Sequence, residues 1–292
     1  MKQIIPCILA SDNRYAAFMY ITMLSMLKSA SDDTFYDFYL LIPSSFSNLN
    51  TKRISSLAKK YNCAINFIDM RDNFSNIKMH ISHITSPTYY RLLAADLLPK
   101  KYKKCIYLDV DICVCSDLSN MFNIDIGDNY LAGVPAIGYI INEQYNCERL
   151  ELPNTKNYVN AGVLIFNLEC IRKDNMTKKF MSLLDKNYTS QDQDILNVAC
   201  FDKILPIPVK YNVMPRCNKT EINEHFELFD SIYGIENIET ALGAPVIVHY
   251  ADKIKPWQNK RMRFADKWWH VAKQSPYYLS ILIKYYLKKC KI

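Results

Sequence analysis

The chain alternates between short apolar runs and longer stretches with apolar residues at helical spacing, from residue 4 to residue 108. Strands that alternate with helices form βαβ units, so this pattern predicts an α/β fold with a mostly parallel central sheet. Ligands of such folds bind beyond the carboxyl ends of the strands. The predicted strands are 4–10, 35–42, 64–68 and 104–108, and the predicted helices are approximately 15–29, 48–61 and 89–97.

Composition excludes several classes of protein. The chain has 292 residues, half of them hydrophobic, which is enough for one large folded domain. It contains only six glycines, it lacks a glycine-rich phosphate loop, and none of its ten cysteines forms a C-x-x-C pair. The apolar start of the chain is interrupted by Pro6 and ends at Asp12, too early for an export signal. We therefore predict a cytoplasmic protein without a zinc ribbon or a redox C-x-x-C site.

Positive charge is concentrated at the C-terminus. Residues 251–292 contain 11 lysines and arginines against 2 acidic residues, whereas the rest of the chain carries 25 basic against 27 acidic side chains. No nucleic-acid-binding motif accompanies this charge, so a nucleic-acid partner is not expected. We predict a catalytic domain over residues 1–257, followed by a basic and aromatic helical extension over residues 258–292.

The end of this extension has the pattern of an interfacial helix. Lys284, Lys288 and Lys291 share one helical face, and tyrosines, leucines and isoleucines fill the remainder. Such a helix predicts peripheral attachment to an anionic membrane, here the inner face of the cell membrane. The alternative is a last helix that packs on the protein core and ends in a frayed lysine tail.

An apolar strand ends in two carboxylates, Asp109 and Asp111. Alternate residues of an extended chain point to the same side, so both carboxylates are expected to face one way. Two such groups either repel each other or share a cation, and oxygen ligands suit Mg²⁺ or Mn²⁺ carried by a phosphate. Acidic pairs also form caps and turns at strand ends, so the pair alone leaves both interpretations open.

A second apolar run, 245–249, ends in His249 and is followed closely by Lys253 and Lys255. This strand end therefore offers one imidazole and two ammonium groups. That combination suits a diphosphate bridged by a metal, with lysine as a point charge beside the phosphates.

Four segments carry motifs whose order is informative: Tyr107-Leu108-Asp109-Val110-Asp111, Tyr158-Val159-Asn160-Ala161-Gly162-Val163-Leu164, Gln191-Asp192-Gln193-Asp194-Ile195-Leu196-Asn197, and His249-Tyr250 with Lys255-Pro256-Trp257. Together they resemble glycosyltransferase family 8, and within it the bacterial lipopolysaccharide and lipooligosaccharide galactosyl- and glucosyltransferases. The resemblance covers residues 10–257. It implies a GT-A fold and transfer of a hexose, galactose or glucose, from a UDP-sugar to an oligosaccharide or lipid-linked saccharide, with retention at the anomeric carbon. The implied cofactor is Mn²⁺, with Mg²⁺ as an alternative.

The resemblance implies a metal and nucleotide end of the site. Asp109, Asp111 and His249 are implied to be the metal ligands that hold the diphosphate, and Lys255 the lysine that binds its phosphates. The residues implied to surround the uridine are Ala10, Asp12 and Tyr15.

The resemblance also implies a sugar end. Asn160, Asp192 and Gln193 are implied to surround the transferred sugar, which makes them the candidate catalytic residues. Without the resemblance, Asp192 would be interpreted as a carboxylate in the first turn of a helix and Asn160 as a turn residue. The residues implied to flank the acceptor and the donor are His83, with His80 as a less favoured substitute, and Arg91.

The same residues leave the mechanism open between two routes. A retaining glycosidase uses a carboxylate nucleophile, but the resemblance places the amide of Gln193 on that face, and an amide is a poor nucleophile. Front-face attack by the acceptor hydroxyl is therefore favoured, and Asp192 as a nucleophile is the alternative.

Two positions depart from the family pattern. Asp252 stands where relatives carry glycine, which places a carboxylate near the expected phosphates, and Lys253 next to it is available to neutralise it. Ala136 stands where relatives carry an acidic residue that binds the donor sugar, so the identity of that sugar stays open.

Two other functions are compatible with parts of the pattern. A glycoside hydrolase would use two carboxylates, such as Asp109 and Asp192, without nucleotide or metal. A non-catalytic protein that binds nucleotide sugars or membranes would bind UDP without turnover.

Overall fold

The first four strands form a continuous parallel block of the central sheet. In a computed structural model that describes residues 2–71, 87–186, 188–217 and 219–289, β1 pairs in parallel with β2 and β4, and β2 pairs in parallel with β3. Helices α1 and α2 connect these strands, as the alternating pattern predicts. The bounds are β1 Gln3–Ala10, α1 Ala16–Ser29, β2 Thr34–Ile42, α2 Asn48–Lys60, β3 Cys63–Asp69 and β4 Lys104–Leu108.

Three further strands complete a seven-stranded sheet with the order β3-β2-β1-β4-β7-β6-β8. β7 (Val159–Asn167) runs antiparallel to β4 and to β6 (Leu131–Pro135), and β8 (Ile204–Pro206) is parallel to β6. The prediction of an α/β fold with a mostly parallel central sheet is confirmed. Because β7 runs opposite to β4, its first residues lie at the carboxyl end of β4, where the backbone N–H of Asp109 donates to the carbonyl of Gly162 at 2.8 Å.

A separate two-stranded sheet positions His249. β5 (Ile112–Val114) pairs antiparallel with β9 (Ile247–His249), so that His249 lies opposite Ile112. The predicted strand 245–249 is thus shorter than expected and lies outside the central sheet. Pro245 has no N–H to donate to a ladder, and the chain joins the sheet only after it.

The remaining helices are short. The predicted helix 89–97 is divided by a 3₁₀ turn, Arg91–Leu93, between α3 (Pro87–Tyr90) and α4 (Ala94–Leu97). A second 3₁₀ turn, Val209–Tyr211, precedes the segment that contacts His249. The other bounds are α5 Ser119–Phe122, α6 Ile137–Ile141, α7 Glu143–Leu150, α8 Leu168–Lys173, α9 Met176–Ser182, α10 Asp192–Ala199, α11 Lys219–Glu224, α12 Phe226–Tyr233, α13 Ile235–Gly243, α14 Ala265–Ala272 and α15 Tyr278–Lys289.

The C-terminal helices α14 and α15 pack on the same hydrophobic core as α1. Trp268 is fully buried, and its ring lies 5.3 Å from that of Trp257. Tyr277, Ile281 and Tyr285 are 5–6% exposed, so one face of the last helix is docked on the protein. The division into a catalytic domain and an extension at residue 257 stays a prediction. Over the described ranges, no helix has the length and hydropathy needed to cross a bilayer.

Candidate active site

A cleft of about 820 Å³ opens at the carboxyl ends of β1 and β4 and at the start of β7. Its volume lies within the range of small-molecule sites. Of the predicted site residues, His83 and its substitute His80 lie outside the described residues. All the others line this one cleft: Ala10, Asp12, Tyr15, Arg91, Asp109, Asp111, Asn160, Asp192, Gln193, His249 and Lys255.

Three predicted metal ligands converge at one end of the cleft. One ligand atom each from Asp109, Asp111 and His249 lies within 4.8 Å of the other two. The imidazole Nε2 is 3.3 Å from Asp111 Oδ1 and 3.8 Å from Asp109 Oδ2. Two carboxylate oxygens and one imidazole nitrogen form a ligand set that suits Mn²⁺. Mg²⁺ would bind mainly to the two oxygens. The residues present therefore fit a divalent cation.

Gly162 is the residue that makes room for this convergence. A Cβ atom at this position would lie 2.2 Å from His249 Cε1 and 2.7 Å from Asp109 Oδ2, both shorter than real contacts. The absence of a side chain, rather than backbone freedom, is what the site requires here. The sequence motif contains Gly162, but its contact with His249 depends on the pairing of β5 with β9 and leaves no local signal.

Lys255 lies beside the convergent ligands. Its Nζ donates to Asp111 Oδ2 and to the carbonyl of Tyr250, each at 2.6 Å. Burial alone raises the pKa of the Asp111 carboxyl, but His249 and Lys255 outweigh it and hold that pKa well below its usual value. The turn after Lys255 is held by Trp257, whose ring stacks on Phe18 at 3.7 Å.

Arg91 connects the metal end of the cleft to the sugar end. Its buried guanidinium donates to Asp109 Oδ1 at 2.8 Å and to the carbonyl of Ala161 at 2.5 Å, and it lies over the Tyr107 ring at 4.2 Å. Two negative neighbours and an aromatic face balance the cost of burying this charge. The family resemblance implied only that Arg91 lies on the donor side. Its contacts show that it also holds the carboxylate of Asp109.

Asp192 is a buried carboxyl group with an incomplete set of partners. Its Oδ2 lies 2.8 Å from Arg91 Nε, but that N–H is directed at the carbonyl of Thr88, so Oδ2 accepts no hydrogen bond among the described residues. Burial raises the pKa of Asp192 to about 7; the charge of Arg91 lowers it, and that of Asp109 adds to the increase. Asp192 is therefore a buried acid in the wall of the cleft, with a raised pKa and one oxygen that accepts no hydrogen bond among the described residues.

Asp194, two residues later, has a structural environment. It is fully buried and forms a two-pronged ion pair with Arg149, with distances of 2.7 and 3.1 Å. The backbone N–H of Ser190 also donates to it at 2.8 Å. Both Asp192 and Asp194 lie in the first turn of α10, which agrees with the helix interpretation of Asp192, but their arginine partners were not predicted.

Gln193 and Asn160 are joined by hydrogen bonds in the wall of the cleft. Asn160 Nδ2 donates to Gln193 Oε1 at 3.1 Å, and Asn212 Nδ2 donates to Asn160 Oδ1 at 2.9 Å. Asn212 Oδ1 lies 2.9 Å from His249 Nδ1. Asn212 was missed from the sequence, because a single asparagine after a tyrosine has no motif.

The nucleotide end is formed by the start of α1. Asp12 Oδ1 accepts the N–H groups of Arg14 and Tyr15, at 2.8 and 3.2 Å, and so stabilises the turn that begins the helix. Tyr15 is 39% exposed and lines the cleft, and its ring forms a T-shaped pair with that of Phe18 at 5.4 Å. An exposed aromatic ring beside a turn leaves a face available for a planar base.

Asp252 and Ala136, the two departures from the family pattern, lie in different places. Asp252 lines the cleft and forms an ion pair at 3.4 Å with Arg216, a partner that was not predicted. Ala136 is buried and lines a small apolar cavity between β6 and α13, not the cleft. The correspondence of Ala136 to the acidic residue of relatives stays a prediction, and the donor sugar stays open.

Comparisons with known proteins identify the family and the fold of the chain. The chain is 26% identical over 280 residues to General stress protein A of Bacillus subtilis, covering 92% of each protein. It is 27% identical over 222 residues to the lipopolysaccharide 1,3-galactosyltransferase of Salmonella typhimurium, covering 73% of this chain and 62% of that protein. The solved galactosyltransferase LgtC, in complex with donor and acceptor sugar analogs, has the same fold, with a TM-score of 0.76 and 24% identity; the match covers 93% of this chain and 96% of that one.

The model of glycosyl transferase family 8 matches residues 6–261. The family resemblance is confirmed, and the chain belongs to glycosyl transferase family 8.

Proposed function

We propose that the protein transfers a hexose from a UDP-sugar to a saccharide acceptor during surface-glycan synthesis, with retention at the anomeric carbon. The observation that carries this proposal is the convergence of Asp109, Asp111, His249 and Lys255 at one end of a cleft whose wall holds Gln193. The names of relatives support a hexose and a glycan acceptor, since one of them is a lipopolysaccharide galactosyltransferase.

The diphosphate of the donor is proposed to bind at the metal end of the cleft, where a cation and Lys255 would supply positive charge. Asp109, Asp111 and His249 would hold Mn²⁺ or Mg²⁺, which supplies positive charge for the departing diphosphate. Lys255 adds an ammonium group at the same place, where it donates to Asp111. Tyr15 and Asp12, at the start of α1, are the proposed contacts of the uridine.

The reaction breaks the bond between the anomeric carbon and the β-phosphate oxygen of UDP. A new bond forms between that carbon and the acceptor oxygen, and the acceptor proton passes to the leaving phosphate oxygen. Negative charge grows on UDP as the bond breaks, so a preorganised positive end of the cleft lowers the barrier electrostatically. Arg91 holds the carboxylate of Asp109 in place throughout.

The surroundings of Asp192 favour attack from the front face over a covalent intermediate. A carboxyl whose pKa burial raises to about 7, against the opposing charge of Arg91, is protonated part of the time near neutral pH. The protonated form is a poor nucleophile, and the ionised form is held by the guanidinium of Arg91, whose Nε lies 2.8 Å from Asp192 Oδ2. Asp192, which lines the cleft, is therefore proposed to contact hydroxyl groups of the sugar rather than to attack its anomeric carbon.

UDP release tests the proposed function directly. Purified protein is incubated with UDP-galactose, UDP-glucose or UDP-N-acetyl sugars, with saccharide acceptors, and with Mn²⁺ or EDTA. We expect UDP release with at least one donor in Mn²⁺, and its loss in EDTA. Equal release in EDTA would refute metal dependence, and cleavage of a glycan without any nucleotide would indicate a hydrolase.

We also propose that α15 attaches the enzyme to an anionic membrane, where a lipid-linked acceptor is found. The face opposite its docked side carries Leu279, Ile283, Tyr286 and Leu287, which are 54–70% exposed. Their spacing of i, i+4, i+7 and i+8 forms one apolar stripe, and the exposed Lys284 flanks it. Docking on the core and contact with lipid therefore use opposite faces of one helix.

Replacing Leu279 and Ile283 together by asparagine tests this attachment without removing the docked face. We expect cosedimentation with vesicles of phosphatidylglycerol and phosphatidylcholine to weaken about 10- to 100-fold, because two exposed side chains lose their burial in lipid. The matched control is Leu49→Asn, an exposed leucine on α2. Unchanged vesicle binding by the double variant would contradict the proposal.

A further inference from the structure

A chain of polar side chains runs through the wall of the cleft, from the metal end to the sugar end. It begins at His249, passes through Asn212 and Asn160, and reaches Gln193. Each link is 2.9–3.1 Å long. Asn212 is 3% exposed, so water does not compete freely for its amide.

Backbone donors determine which way each amide in this chain points. The N–H of Gly162 donates to Asn160 Oδ1 at 3.0 Å, and the N–H of Ala161 donates to Gln193 Oε1 at 3.1 Å. Backbone N–H groups only donate, so both side-chain atoms must be oxygens. Asn160 therefore accepts from Asn212 Nδ2, which leaves Asn212 Oδ1 to face His249.

This orientation selects one tautomer of His249. Because Asn212 Oδ1 only accepts, His249 Nδ1 carries the proton that it donates there. The Nε2 lone pair is then directed toward Asp109 and Asp111, where a metal ligand needs it.

The same orientation fixes the amide of Gln193. Its Oε1 accepts from Asn160 Nδ2 and from the Ala161 N–H, which uses both acceptor positions of that oxygen. Its Nε2 donates one hydrogen to Tyr158 Oη at 3.2 Å. What this amide offers a ligand is therefore its second N–H, and its carbonyl oxygen is not available as a nucleophile.

We propose that Asn212 is a positioning residue that sets the tautomer of His249 for metal binding and, by donating to Asn160 Oδ1, adds to the backbone donors that hold the Asn160–Gln193 pair beside the transferred sugar. This inference rests on the proposed function. Asn212 contacts neither the metal ligand atoms nor the cleft itself; it acts through the two neighbours to which it is bonded.

Two substitutions of Asn212 separate the two effects. Asn212→Leu removes both hydrogen bonds, whereas Asn212→Asp keeps an acceptor for His249 and loses the donor to Asn160. Titration with Mn²⁺ alone, followed by calorimetry, should show a dissociation constant raised about 10- to 100-fold in the leucine variant and within about threefold of the wild type in the aspartate variant. With saturating Mn²⁺ and donor, kcat should fall about tenfold or more in both.

If Asn212 were only structural, the two variants would not differ in Mn²⁺ affinity while both lose kcat. The control is Asn66→Leu, which removes a partly buried amide on β3 that bonds Asp37 and the carbonyl of Phe38; it should lower the Tm and leave the Mn²⁺ affinity unchanged. If the leucine variant does not fold, the aspartate variant decides, because unchanged kcat there overturns the proposal.

Other outcomes also have definite meanings. Wild-type Mn²⁺ affinity in a folded Asn212→Leu protein overturns the inference and leaves the proposed function intact. Loss of Mn²⁺ binding in both variants alike overturns the separation of the two effects. Wild-type protein that binds no Mn²⁺ either alone or together with UDP overturns the proposed function and, with it, this inference.

Discussion

Replacement of Asp111 by asparagine is expected to lower kcat about 10²- to 10³-fold while leaving the protein folded. Asparagine keeps the shape of the side chain and an oxygen for Lys255, but it removes the negative charge that faces His249 at 3.3 Å. A divalent cation then loses one of its two carboxylates, and the departing UDP loses much of its stabilisation.

Initial rates of UDP release at saturating donor, with Mn²⁺ varied, measure this effect. The matched control is Asp125→Asn, an exposed carboxylate that accepts the N–H of Gly127 in a surface turn. It should keep wild-type kinetics. An Asp111→Asn enzyme with a kcat within about threefold of the wild type would show that this carboxylate does not serve the transition state.

The second large effect is expected at Gly162, where alanine should raise the Mn²⁺ dissociation constant about 100-fold. The added methyl group would overlap His249 and Asp109. Strand β7 cannot move away easily, because the Gly162 carbonyl accepts from Asp109 and its N–H donates to Asn160. The metal ligands must therefore shift, with an overpacking cost of about 1–3 kcal/mol.

Calorimetric titration with Mn²⁺ and thermal unfolding together test this expectation. Gly138→Ala is the control, since a Cβ there meets no atom within 4 Å, and alanine in helix α6 should stabilise the protein by up to about 1 kcal/mol. If Gly162→Ala binds Mn²⁺ as the wild type does, the ligands have more room than the structure allows.

Much of the fold was predictable because it is local. The alternation of strands and helices through β4 is visible in the periodicity of apolar residues, and the carboxyl end of β4 marks Asp109 and Asp111 as candidates. The approach of His249 was inferred from a second strand end, although that strand belongs to a different sheet and is antiparallel.

The parts that were missed depend on tertiary pairing. The reversal of β7 brings Gly162 beneath the metal ligands, and the segment after the 3₁₀ turn Val209–Tyr211 brings Asn212 against His249. Neither contact has a local signature. The last helix shows a similar limit, since its composition favoured a membrane and left docking as the alternative, whereas the structure shows a docked face opposite an exposed apolar stripe.

The most direct test of the metal-centred account is a crystal of the protein grown with Mn²⁺ and UDP, with diffraction recorded at the manganese absorption edge. The account predicts one strong anomalous peak in the cleft, bonded to Asp109, Asp111 and His249 Nε2 and to the diphosphate, with Lys255 close to a phosphate oxygen. A diphosphate bound in the cleft with no peak between these three side chains, or a peak bound elsewhere, would contradict it.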